Sequence, residues 1–132
     1  MTDILVPTGP ADLIDQMIML QSKASHAPDL ALRKVYEQRL AQVQRVAADA
    51  LQPLGDISPA DITAARHDVM QLEADMRAWE AQSEFGLGFV ALTRAYLEAL
   101  VILEEHKLAY DKAFGAALTS ANDTPENRGL PH

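Results

Sequence analysis

A chain of 132 residues with 48% hydrophobic content is long enough for one packed domain and short for two. Its net charge of −8 argues against nucleic-acid binding through the phosphate backbone, which requires clustered lysine and arginine. With no cysteine, disulfides, thiolate metal sites and cysteine nucleophiles are excluded as well.

Alanine, leucine, glutamine and glutamate are plentiful, glycine is scarce, and no stretch alternates at period two long enough to make a strand. The fold class is all-α. The expected architecture is an antiparallel helical bundle of three long helices plus a short N-terminal helix, with coiled-coil-like packing.

Residues 1–9 read as an N-terminal arm whose apolar patch, Ile4-Leu5-Val6, is closed by Pro7 and Gly9. The arm has no basic segment followed by an apolar core, so no secretory signal is expected and a cytoplasmic location is. A first helix is predicted from Pro10, because proline is preorganised for the first turn and Asp12 suits a helix N-terminus. It fades over residues 22–26. Pro28-Asp29 restarts a helix to about residue 51, with a core stripe through Leu32, Val35, Tyr36, Leu40, Val43, Val46, Ala47, Ala50 and Leu51. Arg39 projects from the middle of that stripe.

Pro53 and Gly55 break the chain over residues 52–56. Ser58 then acts as N-cap, with Pro59 in the first turn and Asp61 three residues on. The next helix carries a heptad seam through Ile62, Ala65, Val69, Leu72, Met76 and Trp79. Gly86 and Gly88 each weaken a helix by roughly 1 kcal/mol relative to alanine. A bend or tight turn over residues 83–88 is therefore expected in place of one helix of about 60 residues.

The last helix is predicted to be central, or shared with another subunit. Phe85, Phe89, Leu92, Tyr96, Leu100, Leu103, Tyr110, Phe114 and Leu118 form one stripe, and Val90, Leu97, Val101 and Leu108 widen it. Opposite lies a small-residue row, Ala95, Ala99, Ile102, Ala109 and Ala113. At about 51 Å this helix outreaches the roughly 35 Å helix before the break. An interface through Phe85, Phe89, Tyr96, Tyr110, Phe114 and Leu118, with Ala95, Ala99 and Ile102 as a second groove, is expected to close a homodimer. The bundle spans residues 10–118, and the polar stretch 119–132, with Pro125, Gly129 and Pro131, reads as a mobile C-terminal tail.

Charge sorts unevenly between the middle helices. Arg33, Arg39 and Arg45 on the second are expected to pair with Asp68, Glu73, Asp75 and Glu80 on the third. A second constellation, Arg39, Glu104, Lys107 and Asp111, is a candidate buried polar cluster in which Lys107 reaches both carboxylates at i−3 and i+4. It reads as a local salt-bridge cluster or as the pocket of a ligand-binding bundle. A di-metal bundle needs Glu-x-x-His pairs, but Leu103 precedes His106 and Ala64 precedes His67 at that spacing. No metal, cofactor or catalytic residue is assigned. Arg94 and Glu98 interrupt the most apolar window, 85–103, so no membrane span is expected.

The functional reading is a non-catalytic helical assembly or adaptor subunit that binds itself or another helical protein. The alternative is a helical-bundle ligand-binding protein or enzyme using the charged cluster. The run Leu54-Gly55-Asp56-Ile57-Ser58-Pro59-Ala60-Asp61 and the long helix through Tyr96-Leu97-Glu98-Ala99-Leu100 resemble the helical hairpins of outer-membrane efflux channels. That family's β-strands and signal peptide have no counterpart in this sequence, and the expectations above rest on the residues alone.

Overall fold

Four helices make up the described residues: α1 Pro10–Ser25, α2 Leu30–Leu51, α3 Ala60–Ala81 and α4 Leu87–Asn122. The structure is a computed structural model, described over residues 9–51 and 57–122, with backbone alone over 119–122. The arm before residue 9, the Pro53/Gly55 break and the chain after residue 122 lie outside the described residues. Helix α4 continues to Asn122, past the expected end of the bundle at residue 118.

Each helix start follows from local chemistry. Gly9, extended at φ −71° and ψ 160°, precedes α1, and Pro10 fills its first turn. The Asp29 carboxylate accepts the Leu32 N–H at 2.8 Å and caps α2. Pro59, not Ser58, occupies the cap position of α3; the Ser58 hydroxyl accepts the Ala60 N–H at 3.2 Å from one residue further out.

Between α3 and α4 the chain turns and does not run on as one helix. The Gln82 and Glu84 N–H groups both donate to the Trp79 carbonyl, at 3.1 and 2.9 Å, and Ser83 adopts φ 55°. A left-handed residue at a helix end releases the chain from the helical path, and a serine there costs on the order of 1–2 kcal/mol relative to glycine.

The helices pack as two pairs, α1 with α2 and α3 with α4, joined by contacts of α1 with both α3 and α4. The short α1, not α4, is therefore the shared element. Its Ala11 and Ile14 meet Ile62, Ala65 and Val69 of α3, and Ala99, Leu103 and Tyr110 of α4, in one core. Ile62, Val69 and Leu103 are the largest fully buried side chains. Each contributes roughly 1.5–3 kcal/mol by leaving water. The α3 heptad faces inward throughout, with Leu72, Met76 and Trp79 half-buried beyond the core residues.

Helix α2 adds little to that core. Its Leu32, Tyr36, Leu40, Val43 and Leu51 are half-buried, and only Ala47 is buried. Val35, Val46 and Arg39, expected in the core stripe, are exposed. One neighbour covers only a narrow stripe of a helix, so the flanks of a wider apolar arc stay in water.

The same geometry divides α4. Phe89, Leu92, Tyr96, Ala99, Leu100, Leu103, Tyr110 and Phe114 are fully or partly buried, on the side of α3 and α1. The adjacent row Val90, Leu97, Val101 and Leu108, expected to widen the core, is exposed.

Candidate functional site

Two features of α4 carry the functional question: a charged junction on its inner side and an apolar row on its outer side.

The junction forms where α1 crosses α3 and α4. Asp15 sits inside the apolar run of α1 and is 2% exposed. Arg66, one residue past the seam residue Ala65, donates to it twice, from Nε to Oδ1 at 2.6 Å and from Nη2 to Oδ2 at 2.7 Å. This is the bidentate geometry in which guanidinium and carboxylate match best. Lys107 of α4 approaches the same carboxylate at 3.4 Å, and it reaches Asp12 at 2.5 Å and Glu104 at 3.6 Å. Asp111 points elsewhere: its Oδ1 accepts the Ala11 N–H at 2.9 Å, satisfying one open donor at the start of α1. A Cβ on Gly9 would lie 3.2 Å from Asp111 Oδ2, so the glycine lets this carboxylate close on the helix end. Below the junction, the Tyr96 hydroxyl donates to Glu73 at 3.2 Å.

The ionisation of these groups follows their partners. The Arg66 guanidinium holds its proton more tightly than usual, chiefly through the hydrogen bond to Asp15. Burial alone would lower the Lys107 ammonium, but the hydrogen bond to Asp12 and the charges of Asp12, Asp15 and Glu104 outweigh it and raise its pKa. Burial raises the Tyr96 and Tyr110 phenols, helped by Glu73 and Asp111 respectively.

Of the predicted cluster, the structure brings Glu104 and Lys107 together and gives Asp111 a backbone partner at the same junction. Arg39 is exposed on α2 and takes no part. Asp12, Asp15 and Arg66 were not among the predicted site residues. The available signal was Asp15 itself, a carboxylate in the middle of the apolar run 13–20, which requires a cationic partner once buried. The arrangement binds helices to one another. No buried side-chain nitrogen or oxygen among the described residues lacks a partner, and no acidic or histidine group there has the grouping a metal ion needs.

The expected ion pairs between α2 and α3 do not form among the described residues, because α2 packs along α1. Arg33 pairs with Glu37 on its own helix at 2.9 Å. Asp75 accepts from Gln71 at 3.0 Å, Glu73 accepts from Tyr96, and Asp68 and Glu80 are exposed.

The outer side of α4 is the larger departure from a satisfied surface. Leu97 is 56% exposed, Val101 57%, Leu108 67% and Leu87 89%, with Val90 and Ile102 also in water. Two shallow grooves follow this row, one beside Leu87, Val90 and Arg94, the other beside Leu97, Val101 and Ile102. Of the residues expected at an interface, Phe89, Tyr96, Ala99, Tyr110 and Phe114 are occupied within the chain, while Ala95, Ile102 and Leu118 are exposed. Phe85 lies in the turn, exposed and edge-on to Phe89 at 5.3 Å. No described helix is long and apolar enough to cross a membrane. No family model, curated protein or solved structure matches the chain.

Proposed function

We propose that the protein is a non-catalytic helical assembly subunit whose working surface is the outer row of α4. The observation that carries this reading is the line of Val90, Leu97, Val101 and Leu108, left in water on the longest helix of the fold. Contiguous exposed apolar rows mark association surfaces, and their burial by a second helix is favourable by about 25 cal/mol per Å². The inner junction supports the reading from the other side. Asp15, Arg66 and Lys107 are used up in holding α1 against α3 and α4, so they are poorly placed to bind a ligand.

In this reading the bundle is built from antiparallel helix pairs with coiled-coil-like packing. Three contacts between α3 and α4 support that direction: Trp79 with Gly88, Glu73 with Tyr96, and Asp61 with His106. The residue number rises along α4 as it falls along α3.

The test is the concentration dependence of thermal unfolding. Association stabilises the folded state by mass action, so the wild-type melting temperature is expected to rise with protein concentration. In a Leu97→Glu/Val101→Glu variant it is expected to stay constant. A wild-type melting temperature independent of concentration would overturn self-association as the activity of this face.

A further inference from the structure

We propose that a second copy of this chain covers the outer row of α4, with the two α4 helices antiparallel and a two-fold axis between Leu97 and Val101. This rests on the assembly reading above and adds the occupant and its register.

The row is a heptad seam. Leu87, Val90, Arg94, Leu97, Val101, Glu104 and Leu108 follow one another at alternating steps of three and four residues. It runs for about 32 Å along the helix. Two seam positions are charged, and their signs are opposite. Read outward from the midpoint of Leu97 and Val101, the order is apolar, charged, apolar in both directions: Leu97, Arg94, Val90 one way, and Val101, Glu104, Leu108 the other. A two-fold axis at that midpoint sets Leu97 of one copy on Val101 of the other, Val90 on Leu108, and Arg94 on Glu104. A surface that is its own complement in this way is the requirement for a symmetric dimer. Parallel pairing in register would instead set Arg94 on Arg94 and Glu104 on Glu104 inside the seam, and like charges there select against it.

Both charges are available. Arg94 is exposed and makes no ion pair among the described residues. Glu104 is held only at 3.6 Å by Lys107, with its side chain 66% exposed, whereas Lys107 has shorter contacts with Asp12 and Asp15. Giving up Glu104 leaves the inner junction intact. Glu98 flanks the axis in both copies, so the pair carries one like-charge approach, and Glu98→Gln is expected to tighten it.

Sedimentation equilibrium on the full chain tests the pairing by charge exchange. The Arg94→Glu and Glu104→Arg variants are each expected to dimerise at least about tenfold more weakly than wild type, because each places like charges in the seam. Mixed in equal amounts, the two variants pair opposite charges at both positions, and the heterodimer is expected to return to within about threefold of wild type. The Arg94→Glu/Glu104→Arg double variant is expected to recover likewise, which separates lost pairing from lost folding. A mixture no tighter than its components, single variants as tight as wild type, or a wild-type chain of monomer mass would each overturn the proposal. Association that responds to Leu97→Glu/Val101→Glu but not to charge exchange removes this register and leaves the assembly reading standing.

Discussion

Arg66 closes on Asp15 with two parallel hydrogen bonds of 2.6 and 2.7 Å, and the carboxylate they share is almost completely shielded from water. This is the strongest polar tie between α1 and the α3/α4 pair. Removing one partner from a buried ion pair strands the other, at a cost of about 3–5 kcal/mol. Asp15→Ala is therefore expected to lower stability by that order in chemical denaturation. The Asp15→Leu/Arg66→Met double variant is expected to recover much of the loss, since it leaves neither charge of that pair stranded. A double variant less stable than Asp15→Ala would contradict this account.

The junction and the phenols of Tyr96 and Tyr110 also set an alkaline limit. Lys107, Arg66, Tyr96 and Tyr110 all have raised pKa values in the folded chain. A raised folded-state value adds stability that is complete below the unfolded pKa and is lost as pH rises through the folded one. Unfolded tyrosine and lysine titrate near pH ~10 and ~10.4, so the melting temperature is expected to fall above about pH 10. Lys107→Met is expected to be less stable at neutral pH and to show a shallower alkaline decline. A melting temperature that is flat through this range would refute the sign of the shifts.

Two glycines beside the α3–α4 turn are expected to respond differently to alanine. A Cβ on Gly88 would lie 2.5 Å from two carbons of the Trp79 indole, whereas one on Gly86 would meet nothing within 4 Å. Alanine improves helix propensity by roughly 1 kcal/mol, but displacing a packed ring costs typically 1–3 kcal/mol. Gly88→Ala is expected to be destabilising on balance, with altered tryptophan fluorescence, and Gly86→Ala close to neutral. Equal effects at both positions would show that Trp79 does not pack there.

The helices were largely legible because their signals are local. Pro10, Asp29 and the heptad from Ile62 to Trp79 depend on neighbours within one helix, and each stands where its spacing places it. What escaped the sequence was which helices touch. The basic flank of α2 and the acidic flank of α3 suggest a match, but α2 lies along α1, so the match has no geometry in which to form. Periodicity identified both apolar rows of α4 without saying which one faces inward. The choice depends on α1 and α3 approaching from one side only. Phe114, expected at an interface, is half-buried within the chain, so Phe114→Asp is expected to destabilise the fold itself.

Asp15 shows the same limit at the level of the site. Its place among apolar residues announces that it needs a cation, but Arg66 is 51 residues away, and only the crossing of α1 over α3 brings the two together.

The central claim is that the outer row of α4 is buried by association, and mass in solution tests it most directly. Light scattering on the wild-type chain is expected to give a multiple of the 14.4 kDa chain mass. The Leu97→Glu/Val101→Glu variant is expected to give a single chain mass with unchanged helical content. Equal masses for the two proteins, whether both single or both assembled, would contradict the account.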